Sequence, residues 1–274
     1  MTQAATFALL MNAVTLLSDF GLQDATLAKA KGILMTYIPN VPMVDISHHV
    51  EPYQTSQAAY LLASAYRSFP KNTCHLVLFD IFYQKESVMV LCEKDGHYFL
   101  APDNGILSLT FDSAATTLWK AATVNAKDGF GAWMQKLGWL LQSLQTSSPA
   151  DLGLPLFDAQ NTPVHWLPKL EGNTLECHVM YIDRFENVVL NITRQQFEAV
   201  QANRPFTIRF MRDEVITSIK QHYTDVRESE KLCRFNAAGY LELTINRGKA
   251  ASLFGLQVRQ DKNLMYNTVK IFFE

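Results

Sequence analysis

The feature that most narrows what this chain can fold into is an apolar run, Ala13 to Ser18, that stops at Asp19-Phe20-Gly21 and gives way to a helical repeat. Leu27, Ala30, Leu34 and Ile38 recur at helical spacing, and Pro39 and Pro42 mark the break behind them. Next come an apolar strand from Met43 to Ile46 and a helix from about Thr55 to Phe69, with Ala58, Leu61, Leu62 and Ala65 along one stripe. Cys74 to Phe79 is a third strand. Two helices that each sit between apolar strands predict βαβ units and a largely parallel sheet covered on both faces. Ser87 to Cys92 and Tyr98 to Ala101, joined through Asp95-Gly96, read as a hairpin added to that sheet, which makes it mixed.

A helix around Phe130 to Leu144, with Trp133, Leu137, Leu140, Leu141 and Leu144 on one side, closes an α/β domain expected over residues 13–146, behind an N-terminal extension at 1–12. Ser147-Ser148-Pro149 and three further prolines up to Pro168 predict a linker over 147–170. The segments Glu176 to Ile182, Val188 to Ile192, Phe206 to Phe210, Gly239 to Ile245 and Val269 to Phe273 are short strands with one helical insert near Gln195 to Gln201. They predict a smaller β-barrel or sandwich over 171–274, and a chain of 274 residues is long enough for two such cores.

A net charge of -2 with 18% charged residues argues against capture of nucleic acid or an anionic membrane surface. No apolar run reaches the roughly 18 residues of a membrane span. Cys74, Cys92, Cys177 and Cys233 stand singly in strand-like runs, which reads as reduced core thiols of a cytoplasmic protein. His48 and His49 are adjacent and would face opposite ways on a strand, and no metal-binding histidine spacing occurs, so no metal is expected.

In an open α/β sheet, ligands bind at the carboxyl ends of the strands. Asp19 is placed there, either to accept hydrogen bonds from a ligand diol or to cap the next helix, with Asp24 the better placed of the two for capping. Asp80 ends the third strand and points into the same crevice, where a carboxylate can orient a water or serve as a turn residue. Pro102-Asp103-Asn104-Gly105 is a strong turn signal. Asp183-Arg184-Phe185-Glu186-Asn187 sets an aromatic ring beside an amide between two strands, a pairing that suits stacking and edge-reading of a purine, or a plain hairpin loop.

Taken together, these segments resemble the S-adenosylmethionine hydroxide adenosyltransferase family, relatives of the S-adenosylmethionine-dependent fluorinase and chlorinase. The matching pieces are Val14 to Gly21, Lys31-Gly32-Ile33, Val44-Asp45-Ile46-Ser47-His48, Pro102 to Gly105, Tyr181 to Phe185 with Asn187 and Asn191, and Asn246 to Ala251, in family order along almost the whole chain. The resemblance implies an N-terminal mixed α/β/α sandwich and a C-terminal β-barrel, assembled as a homotrimer with the site at the subunit interface. It implies a nucleoside site in which Asp19, with Phe20 beside it, holds the ribose diol. Phe185 and Asn187, with backbone near Lys249 and Ala250, would hold the adenine, and Asp183 would sit near the amino-acid end of the ligand. The family reaction is displacement of methionine from the ribose 5′ carbon of S-adenosylmethionine, bound as substrate without any further cofactor.

In the hydroxide-transferring members an Asp, an Arg and a His position the water. Asp80 matches the first, but the family's Asp-Pro-Gly-Val-Gly loop has become Asp80-Ile81-Phe82-Tyr83-Gln84. Ser87 and Asn125 stand in the positions of the Arg and the His, with Tyr83, Lys85 and Asn125 as candidate substitutes for the lost groups. Ala126 offers no hydroxyl to a halide, Ala237-Ala238 replaces a ligand-binding Ser, and Glu186 replaces a Gly. Two functions follow: a divergent enzyme that cleaves S-adenosylmethionine with water to adenosine and methionine, or a non-catalytic adenosine- or S-adenosylmethionine-binding protein that kept the pocket.

Overall fold

Two neighbouring parallel strands, β1 (Ala13–Ser18) and β3 (Thr73–Leu78), are wholly buried and lie second and third in a six-stranded sheet. A computed structural model of the protein describes residues 11–82, 85–111, 117–159, 167–210, 214–258 and 268–274. The chain divides into two compact units, Met1–Pro163 and Val164–Glu274. In the first, β2 (Met43–Ser47), β4 (Glu86–Lys94), β5 (His97–Pro102) and β6 (Leu118–Asn125) complete the sheet in the order β2-β1-β3-β5-β4-β6. β2, β1, β3 and β5 run parallel, while β4 is antiparallel to both neighbours. The sheet is mixed for the reason the sequence gives: Asp95 and Gly96 both have positive φ, 51° and 74°, and so close a tight hairpin.

Helices cover both faces. α1 (Thr26–Tyr37) and α4 (Gly129–Ser143) bury Ala30, Leu34, Leu137 and Leu141 against Val14, Leu16, Leu76 and Met89 on one side. α2 (Thr55–Ala65) and the short α3 (Ile106–Phe111) bury Ala58, Leu62 and Ile106 against Leu17, Val77, Phe79 and Phe99 on the other. Gly138 lets α1 and α4 approach closely, since a Cβ there would stand 2.5 Å from the Tyr37 ring. The second helix is shorter than its apolar stripe suggests and tightens into a 3₁₀ turn over Tyr66–Ser68 before Pro70. The proline-bearing stretch after α4 lies along β6: Lys120 N donates to Pro155 O at 2.9 Å, and Leu156 bridges Trp119. Residues 1–10 of the expected extension and 160–166 of the expected linker lie outside the described residues.

The second unit is an antiparallel sheet, β11-β10-β14-β8-β9-β13-β12, with β7 (Lys169–Glu171) beside β8. Its strands are β8 (Thr174–Ile182), β9 (Val188–Thr193), β10 (Phe206–Arg209), β11 (Val215–Ile216), β12 (Lys231–Phe235), β13 (Tyr240–Ile245) and β14 (Thr268–Phe273). A parallel bridge from Ile219, just past β11, to Cys233 on β12 brings the two edges together into a nearly closed barrel. Leu190, Ile208, Leu243 and Ile271 fill it, and α5 (Arg194–Gln201) and α6 (Ala250–Phe254) add Phe197 and Phe254 to the same core. All four cysteines are free and buried. Among the described residues, no helix is long and apolar enough to cross a membrane.

The core of the first unit contains a polar thread. Thr15 Oγ1 lies 2.7 Å from His75 Nδ1, and His75 Nε2 lies 3.3 Å from His97 Nδ1, all buried. Burial, with His97 adding, holds His75 down to about 3. The unfolded chain binds this proton below about pH 6.5, whereas the folded chain does so only near pH 3. Stability from this group is therefore complete at neutral pH and is lost as pH falls through that window. Urea denaturation at pH 7 and pH 4.5 is expected to show a smaller acid-induced loss for His75→Gln than for the parent chain; equal losses would contradict it.

Candidate functional site

Strand order places the crevice. From β1 the chain crosses through α1 to β2 on one side, then through α2 to β3 on the other side of β1. The carboxyl ends of β1 and β3 therefore flank a topological switch point, where open α/β sheets bind ligands. Asp19 follows β1, Asp80 follows β3 by two residues, and Asp19 Oδ2 accepts a hydrogen bond from Asp80 N at 3.1 Å. Burial pushes both carboxyl groups above their ordinary value, and for Asp19 the neighbouring Asp80 charge adds to the rise. Asp19 does not cap α1; Asp24 Oδ1 takes the Thr26 N–H at 2.8 Å.

Three of the sequence motifs form one relay beneath this loop. Lys31 Nζ stands 2.6 Å from Asp45 Oδ2, Asp45 Oδ1 lies 3.1 Å from His48 Nε2, and His48 Nδ1 lies 2.7 Å from Ser18 Oγ. Ser18 Oγ in turn accepts from Phe20 N at 3.3 Å, and His48 O accepts from Gly21 N at 2.7 Å. Burial keeps His48 below its usual value in spite of Asp45, so the ring is neutral at pH 7. His48 Nε2 meets Asp45 as a close contact rather than an aligned hydrogen bond, while its Nδ1 shares a hydrogen bond with the Ser18 hydroxyl. Ser18→Ala would strand the buried Nδ1 and the Phe20 N–H, an expected loss of about 1–3 kcal/mol in urea denaturation. A change below about 0.5 kcal/mol would show that the relay does not hold the loop.

Asp80 itself has φ of +56°, a left-handed conformation that Asp tolerates better than most side chains. The turn at Pro102 to Gly105 braces this strand end, since Asn104 Nδ2 donates to Phe79 O at 3.2 Å. Ser87 and Asn125 do not converge with each other. On the β4–β6 ladder Ser87 pairs with Val124 and Glu86 pairs with Asn125. Directly paired residues share a face and neighbours alternate, so Ser87 is buried on the Val124 face while Asn125, exposed, projects with Glu86 on the opposite one. Tyr83 lies outside the described residues, and Lys85 is exposed.

In the second unit Asp183 is the keystone of the β8–β9 hairpin. Its Oδ1 accepts from Phe185 N at 2.9 Å and Asn187 N at 2.8 Å, and its Oδ2 accepts from Asn187 Nδ2 at 2.9 Å. Asn187 is buried: its Nδ2 also reaches Tyr223 Oη at 3.4 Å, and its Oδ1 accepts from the Thr244 hydroxyl. Both amide hydrogens are spent, and Oδ1 keeps a second lone pair. Phe185, at 74% exposure, presents its ring to solvent. Glu186 takes positive φ, 63°, and ties this loop to α6: its backbone O accepts from Ala251 N at 3.0 Å. Its carboxylate accepts from Ser252 N at 3.0 Å and meets Lys249 Nζ at 2.9 Å. Ser252 and Lys249 together hold that carboxyl down to about 2. Ala250 is wholly buried at the start of α6.

Sequence reasoning names Phe20 with Asp19 and Trp133 as a helix-stripe residue, but it does not join them with Phe82 and Phe130 into one cluster. Phe20 stands 5.4 Å from Phe82 and 5.9 Å from Phe130, centroid to centroid, and Trp133 lies 6.1 Å from Phe130. Helical spacing marks Trp133 as core; Phe82, between Ile81 and Tyr83 in the loop after Asp80, has no periodicity to mark it.

The model of the SAM hydroxide adenosyltransferase N-terminal domain matches residues 14–133, and that of the C-terminal domain matches residues 177–262. The chain belongs to the SAM hydroxide adenosyltransferase family. It is 26% identical over 277 aligned positions to an (R)-S-adenosyl-L-methionine hydrolase of Thermus thermophilus, covering 90% of this chain and 97% of the relative. A Salinispora tropica protein of the same name is 27% identical, with 89% and 94% covered. Among solved structures, an uncharacterized conserved protein from Thermotoga maritima matches with a TM-score of 0.79 at 22% identity, covering 94% of this chain and 99% of that one. The family's two-domain plan accounts for the α/β/α sandwich and the barrel, and the relay and the Asp183 hairpin are built from the family-like motifs of this chain.

Proposed function

We propose that this protein binds S-adenosylmethionine and cleaves it with water at the ribose 5′ carbon to give adenosine and methionine. Asp19 accepts the ribose hydroxyls, Phe185 stacks on the adenine, and Asn187 offers its free carbonyl lone pair to the exocyclic amine, beside backbone at Lys249 and Ala250. Asp80 orients the attacking water and takes its proton; the oxygen bonds to C5′ while the C5′–S pair leaves with sulfur as a neutral thioether. A partly buried carboxyl raised above its ordinary value is a better base for that role. The observation that carries the reading is the Asp19–Asp80 contact at the switch point of a chain of this family.

A second reading, nucleoside binding without turnover, draws on Ser87 and Asn125, which project to opposite faces and bring no charge to Asp80. Incubation with S-adenosylmethionine and chromatography for adenosine separates the two. Release above the buffer blank supports cleavage, and calorimetric binding with no release supports the alternative. The proposed assembly is a homotrimer with the nucleoside held between subunits, for which light scattering is expected to give three times the chain mass of 31.0 kDa.

A further inference from the structure

Glu186 occupies a backbone position that costs it strain. Its φ of +63° lies in the left-handed region, which glycine adopts freely and a glutamate keeps only when its surroundings hold it there. Two anchors do so. Within the hairpin its N–H donates to Asp183 O at 3.0 Å; outside the hairpin its carbonyl accepts from Ala251 N at 3.0 Å and its carboxylate from Ser252 N at 3.0 Å, with Lys249 Nζ 2.9 Å away. The second anchor is firm. α6 starts after Lys249, whose side chain makes no capping bond, so the N–H groups of Ala251 and Ser252 need acceptors from elsewhere, and Glu186 supplies both across 66 residues of chain in the case of Ser252. α6 in turn sinks Ala250, Ala251 and Phe254 into the barrel core, where Phe254 lies 4.5 Å from Phe210. The neighbouring Phe185 leaves its ring open to solvent on this pinned backbone. A ring on a mobile loop must be ordered when a planar ligand stacks on it, and that cost is subtracted from affinity; on a pinned loop most of it is already met.

We infer that Glu186 is a positioning residue, a latch that ties the β8–β9 loop to α6 and so holds Phe185 ready as a stacking platform for a nucleobase. The inference rests on the nucleoside reading above for the identity of the ligand. It goes beyond that reading by assigning the order of the loop, and with it the affinity for the base, to a side chain that acts through Phe185. Glycine at this position takes positive φ without strain, so Glu186→Gly removes the latch and the strain together. Their effects on stability oppose each other, whereas their effects on the order of the loop do not.

Arg184 is exposed and directly precedes Phe185, so trypsin cleavage after Arg184 under native conditions reads the order of the loop with no ligand present, while calorimetry with adenosine reads its consequence. In Glu186→Gly, cleavage after Arg184 is expected to be about tenfold faster than in the parent chain, with the urea midpoint unchanged. The Kd for adenosine should rise about 3- to 30-fold. Glu186→Gln keeps an acceptor for the Ser252 N–H but loses the charge facing Lys249, and should fall between the two in both measurements. Adenosine affinity in Glu186→Gly within about twofold of the parent, or cleavage no faster, overturns the latch and leaves the nucleoside reading standing. So does a urea midpoint that falls in step with the affinity, which would make Glu186 a purely structural residue. A parent chain that binds no adenosine overturns the nucleoside reading, and the stacking platform with it, whatever the cleavage rates.

Discussion

Asp80→Asn is expected to lower the rate of adenosine release from S-adenosylmethionine about 10²- to 10⁴-fold, the usual worth of a positioned general base, with adenosine binding retained. The variant is chosen for the backbone. Asp80 has φ of +56°, and Asn accepts that conformation as readily as Asp, so the change removes charge and basicity and little else. Asp80→Gly then separates chemistry from strain. Glycine adopts positive φ freely, and the Asp19–Asp80 repulsion disappears, so this variant should gain about 1 kcal/mol in urea denaturation while losing activity as Asn does. A more stable and less active protein is the expected signature of a site that holds a strained carboxylate for function. A rate for Asp80→Asn within tenfold of the parent would remove Asp80 from the reaction.

The second large effect is predicted in the barrel. Asp183→Ala removes the acceptor of two backbone N–H groups and of the Asn187 amide, which is buried and cannot turn to water. Loss of such a network is expected to cost about 2–4 kcal/mol. The same change frees the Phe185 loop, so adenosine binding should weaken in parallel. Asp183→Asn keeps an oxygen for the two backbone donors but sets an amide against the Asn187 amide, and so should fall between the parent and Ala. Urea unfolding midpoints, read with slopes unchanged, give the order parent, Asn, Ala. An Ala variant as stable as the parent would show that the hairpin is held by its strands alone.

Much of the scaffold is legible before any coordinates, because apolar runs, helical stripes and the Asp95-Gly96 turn each obey one local rule. The switch point follows as well, since a parallel sheet presents its strand ends together, and Asp19 and Asp80 are strand ends. β6 escaped notice for a physical reason: its residues are nearly all half-buried, so it shows no two-residue alternation. β12 escaped because Lys231 and Arg234 interrupt its apolar positions. The motif residues Lys31, Asp45, His48 and Ser18 are visible as letters, but their function as one relay depends on three elements meeting. Ser87 and Asn125 show the opposite limit. The family resemblance sets them in the positions of the Arg and the His, whereas the register between β4 and β6 sends them to opposite faces, and register is set by the sheet as a whole. Asn187 reads in the sequence as a loop amide beside Phe185, and its contacts with Thr244 and Tyr223, far along the chain, are visible only in the fold.

The central claim is attack by water on the 5′ carbon, and isotope placement tests it most directly. In ¹⁸O-water, incubation with S-adenosylmethionine is predicted to yield adenosine that carries one ¹⁸O at its 5′ oxygen and methionine that carries none. Adenosine that binds but never appears above the buffer blank, or label recovered on any product other than adenosine, would contradict it.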